Sequence, residues 1–196
     1  GNERYYDFVQ GPVHFFMVNS DVREPDGNSA TSLQANWLRQ RLAASTARWK
    51  VVIVHHAPYT SSDPNGPEPA LRWPYAAWGA SIVLSGHDHN YERLLVDGFP
   101  YIVNGSGGTS LYPFGTPAAG SIVRYNADYG AMLVEADAAT INFRFYNRSQ
   151  QVIDSYTLPE GGVAPTPRSG GIFDRQISQS SDDVEEVIGT GRMVHT

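Results

Sequence analysis

A mixed α/β (α+β) fold is predicted for this 196-residue chain by three features of its sequence. Two short apolar runs, Val51-Val52-Ile53-Val54 and Ile82-Val83-Leu84, have the length and composition of buried strands. A stretch carrying Leu33, Trp37, Leu38 and Leu42 places a wide apolar face on a helix just before the first of them. A succession of short β-rich runs punctuated by turn residues then fills residues 91–158. Hydrophobic residues are 41% of the chain, a globular composition, and the length suits one domain with a substantial core rather than two large ones.

In chain order, Tyr5-Tyr6-Asp7-Phe8-Val9 and Val13 to Val18 read as adjacent strands or a hairpin across Gln10-Gly11-Pro12. Residues 19–28 form a loop rich in Asp, Pro and Gly. Thr31 and Gln34 make a capping box at the start of the helix. Residues 57–72 form a loop whose length suggests function or mobility. Pro74 opens a short helix from Tyr75 to Trp78, closed by Gly79. Tyr91 to Val96 and Phe99 to Val103 form a hairpin across Asp97-Gly98. Asn104-Gly105-Ser106-Gly107-Gly108 reads as a flexible turn that exposes backbone, and three or four strands follow, from Ser121–Tyr125, Ala131–Glu135, Thr140–Tyr146 and Gln151–Leu158. From Pro159 the paired glycines and spaced prolines read as a linker leading into a polar, acidic stretch. The ordered unit is therefore expected over 1–158, with 159–196 a linker and the start of a polar extension.

Charge and composition narrow the function. A net charge of -6 gives no support for binding nucleic acid or an anionic membrane surface. Without cysteine, neither disulfides nor a zinc–thiolate site can form. No run is long and apolar enough for a membrane-spanning helix. The sequence begins at Gly1 and displays no signal segment, as would a processed parent or an interior piece of a longer chain.

Chemistry concentrates in the histidines. Four of the six lie just past the carboxyl ends of the two apolar strands: His55 and His56 after the first, His87 and His89 after the second. That end of an α/β sheet is where ligands bind. If residues 87–89 are extended, the two imidazoles leave on one side and Asp88 on the other, where it reads as a solvated loop carboxylate. Neutral imidazoles aimed at one spot suit a divalent or trivalent metal. His14 reads as a sheet residue and His195 as a tail residue.

Together, Gly86-His87-Asp88-His89, Tyr91-Glu92-Arg93, the His56-x-Pro58 strand end, Leu71-Arg72-Trp73-Pro74, Asn104-Gly105 and Arg124-Tyr125-Asn126 resemble the calcineurin-like metallophosphoesterases, and most closely their purple acid phosphatase-like branch. The resemblance spans roughly residues 4–158. It implies a two-sheet β-sandwich flanked by helices, with two metal ions at the carboxyl edge, iron paired with zinc, manganese or iron. It also implies His56 and His87 as ligands of one metal and His89 of the other. His55, one residue early, is kept out of direct metal contact and is the nearest candidate for general acid, because the loop 59–69 holds Asn65-Gly66 where relatives carry a histidine.

The three upstream motifs that supply the family's carboxylate and asparagine ligands are absent. Gly1-Asn2-Glu3 resembles the third without its histidine and lies too close to Tyr5-Tyr6-Asp7-Phe8. The expectation is therefore the carboxyl-terminal half of a phosphoesterase domain, its amino-terminal half missing and the piece alone inactive. In the parent, the resemblance implies hydrolysis of small phosphate monoesters of acid-phosphatase type. The alternatives are a phosphodiesterase or nucleotidase of the same superfamily, or a degenerate module that binds a partner without catalysis. A secreted or periplasmic location fits the relatives.

Overall fold

The computed structural model describes residues 3–159. Ten strands and one helix form two sheets: β1 (Tyr6–Gln10), β2 (Val13–Val18), α1 (Leu33–Ala44), β3 (Trp49–Val54), β4 (Ile82–Ser85), β5 (Tyr91–Val96), β6 (Phe99–Asn104), β7 (Ser121–Tyr125), β8 (Gly130–Ala136), β9 (Thr140–Asn147) and β10 (Val152–Pro159). Seven strands pair in the order β1-β2-β3-β4-β6-β5-β7, and the other three as β10-β9-β8. Strands β2, β3, β4 and β6 run parallel, so their carboxyl ends share one rim; β1, β5 and β7 are antiparallel to their neighbours. Of residues 159–196, expected as a linker and polar extension, Pro159 ends β10 and the rest lie outside the described residues.

Alternation along the parallel strands makes two cores. Phe16, Val18, Val52, Val54, Val83 and Val103 face the helix, where Ala35, Leu38 and Leu42 pack with Trp73 and Tyr75. Val13, Trp49, Val51, Ile82 and Ile102 face the three-stranded sheet, against Ile141, Phe143, Phe145 and Leu158. Asp154 on β10 fastens the two sheets together. Its carboxylate accepts from Tyr91 Oη at 2.8 Å and from both sides of the Arg93 guanidinium at 2.7 and 3.1 Å.

The smaller sheet covers only part of its partner. At about 4.8 Å between strands, seven strands are roughly 29 Å wide and three roughly 10 Å. On this second face Val13, Trp49, Val51 and Ile82 are covered, whereas β1 is open and Met17, Ile53 and Leu84 at the carboxyl ends of β2–β4 are only partly buried. Tyr6 and Phe8 are 48% and 46% exposed, and Phe8 stacks on Phe15 with centroids 5.1 Å apart. An apolar cleft of about 480 Å³ lined by Met17, Ile53, Leu84 and Met132 opens at His55 and Gly86.

Three local expectations are corrected. The helix is capped by Ser32, whose side chain accepts from Ala35 N, rather than by a Thr31–Gln34 box. Gln34 is fully buried and instead holds the preceding loop through Asn19 N, Asn19 O and Gly27 O. Residues 75–78 make a hydrogen-bonded turn closed by Gly79 at φ 91° rather than a helix, with Trp78 N donating to Pro74 O at 3.0 Å. The loop after Pro58 is tied down, with Thr60, Ser61 and Ser62 buried and a 3-10 turn at Pro69–Leu71.

Candidate metal centre

Strand ends β3 and β4 adjoin in the sheet, which brings their histidines together. Gly86 N donates to His55 O at 3.1 Å, joining the two loops at their roots. The turn after β4 is tight: Asp88 N donates to Gly86 O and Asn90 N to Asp88 O, at 2.7 and 2.8 Å. His87 takes a left-handed φ of 60°, a conformation rare for a residue with a Cβ and often found where structure serves a site. His87 and His89 still leave on the opposite side from Asp88, the histidines partly exposed and Asp88 and Asn90 buried, although the backbone is bent rather than extended.

His55, His56 and His87 form one cluster. Ring centroids lie 4.2 Å apart for His56 and His87, 5.0 Å for His55 and His87, and 5.1 Å for His55 and His56. His55 Nε2 and His87 Nδ1 are 3.1 Å apart. His55 thus stands beside His56 and His87 in the cluster. Burial, and then the neighbouring imidazoles, push the pKa values of His55 and His87 below the usual 6.5, which favours the neutral, metal-binding ring.

The second ring nitrogens of His56 and His89 have fixed partners. Ser20 Oγ sits 2.7 Å from His56 Nδ1. His89 Nδ1 donates to Ser110 O at 3.0 Å and its ring stacks on Tyr112 with centroids 4.0 Å apart, leaving Nε2 as the free lone pair. Ser20, Ser110 and Tyr112 carry no sequence signal that links them to the histidines, from which they lie 21 to 36 residues away in the chain.

Asp88 corrects its expectation outright. It is fully buried rather than solvated, and desolvation raises its pKa above the ordinary 3.8. His14, read as a sheet residue, does lie on β2, but within a Ser–His–Asp line: Ser45 Oγ at 2.8 Å from Nδ1 and Asp7 Oδ1 at 3.0 Å from Nε2. Arg41 grips the same Asp7 carboxylate at 2.6 and 2.8 Å. The line therefore fastens β1 and β2 to the end of α1. It borders neither the apolar cleft nor the second open cleft, at Gly107, Tyr129 and Tyr146.

The donors fit a metal in part. Imidazoles with anchored second nitrogens are suited to hold one, but among the described residues no group of three or more His, Asp or Glu side chains is placed to do so. A dinuclear centre needs carboxylates that this set does not bring.

Comparison with known proteins bears out the fold and the resemblance. The family model described as calcineurin-like phosphoesterase matches residues 2–91. Tartrate-resistant acid phosphatase type 5 of Rattus norvegicus is 35% identical over 96 residues, covering 46% of this chain and 29% of its own. Among solved structures, GAP50, the anchor in the inner membrane complex of Plasmodium, superposes with a TM-score of 0.62 at 18% identity, over 80% of this chain and 53% of its own. PhoD superposes with a TM-score of 0.54 at 15% identity, over 87% of this chain and 45% of its own. The fold is that of the metallophosphoesterases, and in its matched stretch the sequence is calcineurin-like. The chain spans about half the length of these structures and under a third of the rat phosphatase.

Proposed function

We propose that this chain supplies the imidazole side of the active site of a metal-dependent phosphomonoesterase of acid-phosphatase type. The observation that carries the reading is the convergence of His56 and His87, rings 4.2 Å apart, at the rim that also presents His89. In it, His56 and His87 hold one metal and His89 the other; the metals themselves are iron with zinc, manganese or iron. Bound there, two cations would neutralise charge on a phosphate ester and acidify a water for attack at phosphorus.

The chain's own contribution is positioning. Ser20 and Ser110 fix the rings of His56 and His89, and the neutral state of His87 keeps a lone pair available. His55, 3.1 Å from His87, is the candidate to hand a proton to the leaving group; its lowered pKa confines the protonated form that this role needs to acid pH. The carboxylates come from polypeptide outside residues 3–159, the amino-terminal half of the same domain. Two features support this: β1 and the carboxyl ends of β2–β4 keep apolar side chains partly uncovered, and the cleft there opens beside His55. The substrate is a small phosphate ester, and a secreted or periplasmic location suits such an enzyme.

The test is hydrolysis of p-nitrophenyl phosphate by the polypeptide that carries this sequence in full. His87→Ala and His89→Ala should each lower kcat by about 10²-fold or more. Unchanged rates would refute the ligand assignment.

A further inference from the structure

His89 stands apart from the other rim histidines. His55, His56 and His87 share one cluster, whereas the ring of His89 lies against Tyr112, with centroids 4.0 Å apart and planes 29° from parallel. The short span from Ser110 to Tyr112 grips His89 in three ways. Ser110 O accepts from its Nδ1 at 3.0 Å, Tyr112 N donates to its carbonyl at 2.9 Å, and the phenol ring covers one face of the imidazole. A histidine on a partly exposed turn is otherwise free to turn about two side-chain torsions. Here ring edge, ring face and backbone are each held, so the Nε2 lone pair keeps one direction.

The gripping span is itself anchored on both sides. Asn126 Nδ2, just past β7, donates to Tyr112 O at 2.9 Å. Pro113 O accepts from Asp63 N at 3.1 Å, Phe114 makes an antiparallel bridge with Ser62, and Gly115 N donates to Ser61 O at 2.8 Å. Residues 61–63 belong to the loop after β3, the one that begins with His55 and His56. Residues 110–115 therefore tie His89 to the His56 side of the rim as well as to β7. A ligand side chain that is frozen only on binding loses conformational entropy at that moment, and one already held does not. We propose that Tyr112 is a positioning residue whose ring and backbone hold the His89 imidazole in its metal-accepting orientation before metal arrives. These contacts use the ring and the backbone rather than the hydroxyl, so phenylalanine can replace tyrosine in the role. Its use in catalysis rests on the phosphatase reading; the clamp on the imidazole does not.

The experiment uses the polypeptide that carries this sequence in full, with isotope-labelled histidine, and compares Tyr112→Leu with Tyr112→Phe. In the metal-free protein, the ring C–H resonance that His89→Ala deletes should lie upfield, shielded by the phenol ring against it. Tyr112→Leu should return that resonance downfield, and Tyr112→Phe should keep it in place. On titration with zinc, Tyr112→Leu should weaken binding of the second equivalent by about tenfold or more, and Tyr112→Phe should keep the affinity of the parent. Should Tyr112→Leu fail to fold, Asn126→Ala, which frees the Tyr112 carbonyl, should move the same resonance part of the way. A resonance unmoved in the variant that folds would overturn the clamp. A loss in Tyr112→Phe equal to that in Tyr112→Leu would overturn it too, because the effect would then belong to the hydroxyl. A parent that neither binds zinc nor hydrolyses p-nitrophenyl phosphate would refute the phosphatase reading, while the resonance would still decide the clamp.

Discussion

Replacing Glu92 with alanine should cost about 3–5 kcal/mol of folding stability. Glu92 is fully buried on the helix-facing side of β5, and its carboxylate accepts from four donors. Ser61 N lies at 2.6 Å, Ser61 Oγ at 2.5 Å, Ser121 Oγ at 2.6 Å and Thr60 Oγ1 at 3.3 Å. The hydroxyls can turn to other acceptors, but Ser61 N cannot, and a buried unsatisfied N–H alone costs about 1–3 kcal/mol. The lost charge-assisted bonds and the space vacated by the side chain supply the rest. Against a typical domain stability of about 5–15 kcal/mol this is a large fraction. The damage should also spread locally. Ser61 O accepts from Gly115 N and Ser61 Oγ from Ala118 N, so the loop after β3 and the loop before β7 are both moored there. Urea unfolding measures the global cost, and limited proteolysis of residues 57–72 measures the local one. A loss under about 1 kcal/mol with unchanged proteolysis would refute the mooring role.

Two ion pairs should differ sharply by burial. Asp154→Ala strands Arg93, whose side chain is only 14% exposed, and should cost about 3–5 kcal/mol in urea unfolding, whereas Arg144→Ala, which breaks an exposed pair with Glu135, should cost under about 1 kcal/mol. Gly105→Ala should prevent the tight turn from closing, because the added methyl meets Asp88 O; a folded variant with unaltered histidine NMR shifts would count against that packing. Hydrogen bonds from Arg41, opposed by burial and aided by His14, hold the Asp7 pKa below 3.8. The unfolded chain therefore binds that proton more readily. The associated stability is complete above about pH 4 and is lost as pH falls through the lower folded value. Asp7→Asn should flatten the acid limb of the stability curve measured by urea unfolding, and an unchanged limb would contradict the assignment.

What could be read from the sequence was local. Val51–Val54 and Ile82–Leu84 announce themselves by composition, and Asp97-Gly98 fixes its hairpin because both residues take positive φ, 51° and 79°. The rim placement of the four histidines follows from two parallel strands ending at the same level. Other features depend on contacts between distant residues. Asp88 is buried because Gly105, seventeen positions later, closes against its carbonyl, and nothing near Asp88 in the chain foretells that. The Glu92 anchor needs Ser61 and Ser121, from opposite directions along the chain. The cap moved from Thr31 to Ser32 because Gln34 was drawn inward to hold the Asn19 loop, a tertiary demand that overrode a local pattern.

The central claim is that His56, His87 and His89 hold metal together with carboxylates from outside the described residues. Metal analysis of the purified polypeptide carrying the whole sequence tests it most directly. Two tightly bound transition metals per chain are expected, with His56→Ala, His87→Ala and His89→Ala each lowering the content and residues 1–196 alone retaining fewer than two. Full metal content in all three variants, or two metals held by residues 1–196 alone, would contradict it.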